Sequence, residues 1–254
     1  MLQKCCRLLL VNIACAVIFT STVFAGPFNI DMSFTPSFSS FLSETQQSVF
    51  TQAENYWENV ISGYQAGIEI GSLSIMVDYS PVDGEYNRLG WGGPTNMEYQ
   101  GGLALATEGI MTFDSADFER LYIEGRLLDV VIHEMAHVIG FGTLWKLNDL
   151  YVNGSYQYTG AAALAAYQAA YDASATWVPV ENDGGAGTEG AHWEEDIFGN
   201  ELMTGWLDLT NPVGSVTLGS FVDIGYVLNS VPAPSAFLLL GVGLLGLTGR
   251  RRKA

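Results

Sequence analysis

The sequence predicts an α+β domain between residues 26 and 229, on three observations. Apolar residues recur at helical spacing in two long stretches. Between those stretches lie short runs rich in Ile, Val and Leu, bounded by turn residues. The order is helix, then strands, then helices joined by long loops, rather than a regular alternation of strand and helix. With 254 residues, 48% of them hydrophobic, the chain is long enough to bury a substantial core. Phe50, Ala53, Trp57, Val60 and Ile61 place an amphipathic helix over about 43–62. Ile68, Ile70, Leu73, Ile75 and Val77 read as a strand, stopped by Ser80-Pro81 and Asp83-Gly84. Residues 90–102 read as a glycine-rich loop, and 103–113 as one or two strands around Gly109. Helical spacing returns over 118–139, interrupted at Gly125. An alanine-rich helix covers 161–171, and a long glycine-rich loop follows over 177–190. No internal repeat is visible.

The two ends read as addresses. Lys4 and Arg7 precede an apolar run from Leu8 to Phe19, and Val23-Phe24-Ala25 ends in a small residue before Gly26. That is the layout of a secretory signal cleaved after Ala25, giving segments 1–25, 26–229 and 230–254. At the other end Val231-Pro232-Ala233-Pro234 breaks regular structure. An apolar Gly-Leu run, Phe237 to Leu247, follows it and gives way to Arg250-Arg251-Arg252-Lys253. Proline break, short apolar run and basic terminus resemble a PEP-CTERM sorting tail, with Ala233 standing where that signature has Glu. The resemblance implies a Gram-negative source, exosortase-type sorting machinery as a partner, and transient membrane anchoring through the tail. The working protein is then expected at the cell surface or outside the cell.

Charge narrows the function classes further. The chain has 10 bases and 27 acids; removing the six terminal bases leaves Arg88, Arg120, Arg126 and Lys146 against all 27 acids, a net of −23. Such a body repels phosphates, and nucleic acid is excluded as a partner. All three cysteines (Cys5, Cys6, Cys15) lie in the first 25 residues, so the processed chain has neither disulfides nor thiol ligands.

The chemistry concentrates in two short stretches. In Val130 to Gly142, His133 and His137 stand four apart, so on a helix both rings leave one face, one turn apart, and can grip a single Zn²⁺. Glu134, on the adjoining flank, can reach a metal-bound water without ligating the metal. Gly140 and Gly142 end the helix and let the chain bend so that a ligand can come from elsewhere. The third and last histidine of the chain, His192, lies in Glu189-Gly190-Ala191-His192-Trp193-Glu194-Glu195. Three imidazoles would leave zinc an open position, as a catalytic site requires.

His-Glu-x-x-His followed by Gly140, with a third His later, resembles the metzincin zinc peptidases. The long insertion before His192 resembles the leishmanolysin-like branch in its bacterial form. So do Gly140-Phe141-Gly142-Thr143-Leu144-Trp145, Pro179-Val180-Glu181-Asn182, Gly184 to Thr188, His192-Trp193, Glu201 to Gly205 and Asp223-Ile224-Gly225-Tyr226. The resemblance implies a metzincin-like α+β fold. Its mixed sheet and active-site helix form the N-terminal part, and the C-terminal part is mainly irregular and helical. It implies metal ligands His133, His137 and His192, general base Glu134, a Met-turn at Met203, and an exported endopeptidase that takes protein or peptide substrates. It also offers Ile110 to Phe113 as the sheet edge that pairs with substrate, a segment that reads equally well as a core strand. Ca²⁺ in acidic loops such as 181–189 is a candidate second ion. The acidic surroundings lean weakly toward basic peptide segments. Two alternatives stand beside this reading. One is another zinc peptidase clan with Glu181, Glu194 or Glu195 as third ligand; the other is a non-catalytic metal-binding surface or matrix protein.

Overall fold

A computed structural model describes residues 26–229; the expected export signal and the PEP-CTERM-like tail lie outside the described residues. The first strand, β1 (Ile30–Phe34), leads through the short helix α1 (Pro36–Phe41) into α2 (Glu44–Val60). Ser43 starts α2 with a capping box: its hydroxyl accepts from the Gln46 amide while the Gln46 side chain accepts from the Ser43 amide. The buried stripe of α2 carries Phe50, Ala53 and Trp57, as the helical spacing requires.

After β2 (Ile61–Tyr64) the strand expected from Ile68 begins only at Leu73, as β3 (Leu73–Ser80). Gly67, at φ +88°, turns the chain first, so Ile68 and Ile70 are buried from outside any strand. Leu73, Ile75 and Val77 then point inward in alternation. The glycine-rich stretch expected to be a loop is instead a long strand, β4 (Gly90–Gln100), antiparallel to β5 (Leu103–Asp114) from Gly90↔Phe113 to Gln100↔Leu103. The reason is steric. A Cβ on Gly92 would lie 2.3 Å from the Glu134 carbonyl oxygen, and one on Gly109 would lie 2.3 Å from a Val138 methyl. Glycine lets this corner of the sheet lie directly on the next helix. Pro94 falls at a register shift on this outer strand, where no ladder bond is lost to it.

The sheet order is β1-β3-β5-β4, with β1, β3 and β5 parallel and β4 antiparallel. Residues 110–113 therefore belong to an inner strand paired on both sides, and the outer edge on that flank is β4. This settles the choice for Ile110 to Phe113 in favour of a core strand. Helix α3 (Phe118–Ile123) and helix α4 (Leu127–Ile139) follow, divided at Gly125 as the sequence indicates. Trp57 fastens α2 to α4 through a hydrogen bond from its indole N–H to the Ile132 carbonyl, 3.0 Å.

The rest is mostly irregular: β6 (Gln157–Tyr158), α5 (Ala161–Ala170), β7 (Val178–Pro179), α6 (Glu195–Phe198), α7 (Ser215–Asp223) and β8 (Tyr226–Leu228). Its core is aromatic. Phe141, Trp145, Tyr158 and Trp193 meet with ring centroids 4.6–5.4 Å apart. The last strand, β8, returns to pair with β2, and Tyr226 donates to the Ile139 carbonyl at the end of α4. Among the described residues no helix is long and apolar enough to cross a membrane.

Candidate metal centre

Helix α4 carries His133 and His137 on one face, and the turn that follows brings in the third imidazole. Gly142 sits at φ +70°, and a Cβ there would lie 2.3 Å from the Ala191 carbonyl. Glycine at this position lets the loop before His192 rest on the end of the helix. The three Nε2 atoms then stand 3.0–3.1 Å from one another.

Each Nδ1 faces a backbone carbonyl: His133 faces Leu202 at 2.7 Å, His137 faces Phe141 at 2.9 Å, and His192 faces Thr188 at 2.9 Å. A carbonyl only accepts, so every Nδ1 carries its proton and every Nε2 turns a lone pair toward the other two. Three lone pairs at this separation repel unless a cation lies between them. The spacing is of the order that one tetrahedral ion bound by all three would impose.

Burial pushes the His133 pKa down to about 4, against the raising effect of its Leu202 bond. Burial and the neighbouring His133 take His192 down to about 3, and His137 falls well below the usual range for the same reasons. Neutral imidazoles with fixed tautomers are what a divalent metal requires. The donor set therefore fits zinc. Among the described residues this is the one group of three His, Cys, Asp or Glu side chains able to hold a metal ion.

Of the glutamates offered as alternatives to His192, Glu181 and Glu194 are engaged elsewhere, and Glu195 does not join the histidine group. Glu181 is buried, with its carboxylate taking the amides of Asn182, Asp183 and Glu195, and Glu194 accepts from Asn182. Among the described residues no group of three carboxylates gathers in the 181–189 loop. Glu134 is buried beside the histidines, packed against Gly90 and Gly92. Burial raises its pKa to about 8, although Arg88 and the Gly92 amide pull the other way.

Met203 is fully buried in a turn with Leu202 and Thr204. That turn is tied to His192 from below. The Trp193 amide donates to the Met203 carbonyl (3.0 Å), and the Trp193 indole donates to the Thr217 hydroxyl (2.8 Å). Thr217 donates to buried Glu201 (2.6 Å), whose other oxygen takes the Met203 amide (2.6 Å). Leu202, in the same turn, holds His133. One network thus fixes two of the three rings. Sequence reasoning missed these carbonyl anchors, because backbone acceptors leave no mark on residue identity. It also missed the roles of Gly90 and Gly92, although glycines two apart on a strand mark one face of close approach.

The group opens onto a cavity of about 870 Å³ between β4, α4 and the loops around 184–192 and 202–207. A family model for the PEP-CTERM protein-sorting motif matches residues 230–253, and that motif marks an exported protein of a Gram-negative bacterium. A comparison with curated proteins gives no match. A family model for leishmanolysin peptidases matches residues 72–233, well over half of the chain and the span that holds all three histidines. The chain belongs to the leishmanolysin family of zinc-dependent metallopeptidases.

Proposed function

We propose that residues 26–229 form the catalytic unit of an exported zinc endopeptidase with the metzincin arrangement. Zinc would be held by His133, His137 and His192, above a Met-turn at Met203. The observation that carries this reading is the set of three inward-turned Nε2 lone pairs beside a buried carboxyl at the floor of a peptide-sized cavity. Bound there, zinc supplies Lewis-acid polarisation of the scissile carbonyl and a water that is acidic near neutral pH. With the cation bound beside it, which favours its ionised form, Glu134 would be placed to accept a proton at a carboxylate oxygen and to pass it to the departing amine nitrogen. Its packing against Gly90 and Gly92 fixes its direction. The carbonyls of Leu202, Phe141 and Thr188 hold the imidazoles in the tautomer that ligates. The outer edge at β4 offers unpaired backbone groups on which an extended substrate can lie. Residues 1–25 serve export, and the sorting tail delivers the protein to exosortase-type machinery through a transient membrane anchor.

Casein cleavage by the full-length protein, purified from cells that export it, tests the reading. Stoichiometric zinc is expected, with activity lost on chelation. Glu134→Gln should lower kcat by about 10²–10⁴-fold with zinc retained. A variant as active as wild type would overturn the general-base role.

A further inference from the structure

The body of this protein carries four cations, and three of them, Arg88, Arg120 and Arg126, line the metal-centre cavity. Two acids line it with them, Asp83 and Glu134, so one base and 25 acids are left for everything else. With three bases against two acids, this cleft is far less acidic than the rest of the molecule even before a divalent metal is counted.

The three arginines are not equivalent. Arg120 pairs with Asp117 and Glu124 and stacks over Tyr86, so its charge is already compensated. Among the described residues the ion pairs all belong to Arg120; Arg88 and Arg126 touch no carboxylate, although Arg88 acts on Glu134 across the cleft. A guanidinium has five N–H donors. Arg88 uses one, from Nη2 to the Ala186 carbonyl at 2.9 Å. Arg126 uses only Nη2, on the carbonyls of Leu207 and Asp208, and its Nε is buried with no partner.

Both positions are built rather than incidental. The Asp83 and Gly84 amides donate to buried Asp114, the Tyr86 amide donates to buried Asp117, and the Asp83 carboxylate takes the Arg88 amide. Arg126 stands at the start of α4, two turns before His133, against the chain that leaves the Met203 turn. In a chain with 27 carboxylates, two arginines without an ion pair in one cleft are available to an anionic group on what enters it.

We propose that the cleft selects peptide segments bearing an acidic side chain, Asp or Glu, read by Arg88 and Arg126. This reverses the weak lean toward basic peptides drawn from overall composition. It rests on reading the site as a peptidase, so binding and hydrolysis are measured separately. The long-range field works against the choice, because a body at −23 repels an anionic peptide. Any preference for Glu over Gln therefore originates inside the cleft.

The test uses otherwise neutral fluorescent peptides with a single Glu, Gln or Lys placed at each position in turn. Binding is followed by anisotropy on the zinc-loaded full-length Glu134→Gln protein, and cleavage is followed on wild type. At one or more positions Glu should bind and be cleaved about tenfold better than Gln, with Lys worse than both. Arg88→Gln and Arg126→Gln should each shrink that ratio, and Lys146→Gln, which removes the cation outside the cleft, should leave it intact. Because Arg126 also holds the 207–208 backbone, its variant is checked by thermal unfolding; exposed Arg88 carries the test if Arg126→Gln does not fold. Gln peptides bound as tightly as Glu peptides at every position would overturn the proposal, while their cleavage would leave the peptidase reading standing. Acid-selective binding with no cleavage of any peptide would keep the charge selection and remove the hydrolytic reading.

Discussion

Thr217 touches neither the cavity nor the histidines, yet it joins the indole of Trp193 to the carboxylate of Glu201 and so ties His192 to the turn that holds His133. Thr217→Val preserves shape and removes both bonds. Two buried polar groups then lose a partner, which should destabilise the protein by about 1–3 kcal/mol in thermal or denaturant unfolding. Zinc affinity, read by chelator competition, should fall about 10–100-fold. At this scale the sequence was informative where side chains do the work and silent where the backbone does. The grouping of His133, His137 and His192 was legible from identity and spacing together with a family resemblance. The carbonyls of Leu202, Phe141 and Thr188 were not, since any residue supplies a carbonyl. Arg88 and Arg126 were visible as scarce cations, but only the fold puts them in one cleft.

The element that sequence reasoning misjudged is β4. A run such as Gly90-Trp91-Gly92-Gly93-Pro94 has low strand propensity, and periodicity does not reveal a strand whose inward positions are empty. The glycines are there because α4 lies against them, a tertiary reason. Gly92→Ala should destabilise the protein by about 1–3 kcal/mol, because the added methyl meets the backbone of Glu134, which cannot turn aside. It should also displace Glu134 and lower kcat. Gly71→Ala, where a methyl meets nothing within 4 Å, should stay within about 0.5 kcal/mol of wild type. Equal unfolding midpoints for the two variants would contradict the packing of β4 on α4. The helices were the easier elements: α2 and α4 show their buried faces directly in residue spacing, and α2 begins at a capping box.

At the scale of the whole molecule the balance of charge decides the response to pH. Burial acts to raise the pKa of Asp114, but the amides of Ala116, Asp83, Gly84 and Val82 more than offset this and hold it below the ordinary aspartate range. A carboxylate whose folded-state pKa is depressed contributes stability that is complete above its unfolded value, about 3.9, and disappears as pH falls through the lower folded value. Stability measured by denaturant unfolding should therefore drop below about pH 4, and Asp114→Asn should flatten that part of the profile while lowering stability at neutral pH. The same carboxylate holds the Asp83 and Gly84 amides, so acid below about pH 4 should also loosen the loop that carries Arg88.

The α+β class was legible from the order of patterns, and the division into a regular first part and an irregular second part came with the family resemblance. The closing pair β2–β8 was not legible, because strands of four and three residues separated by most of the chain leave no local trace. That pair has a consequence of its own. Phe28 packs on both Tyr64 and Tyr226, with ring centroids 5.9 and 5.5 Å apart, and the Asn229 amide reaches the Val60 carbonyl. Where the body begins and where it finishes are neighbours, so the backbone is topologically almost a ring. A short linker from 229 to 26 could complete that ring, and the chain could be cut at the exposed Val152–Asn153 turn to give a circular permutant with the same histidine cluster.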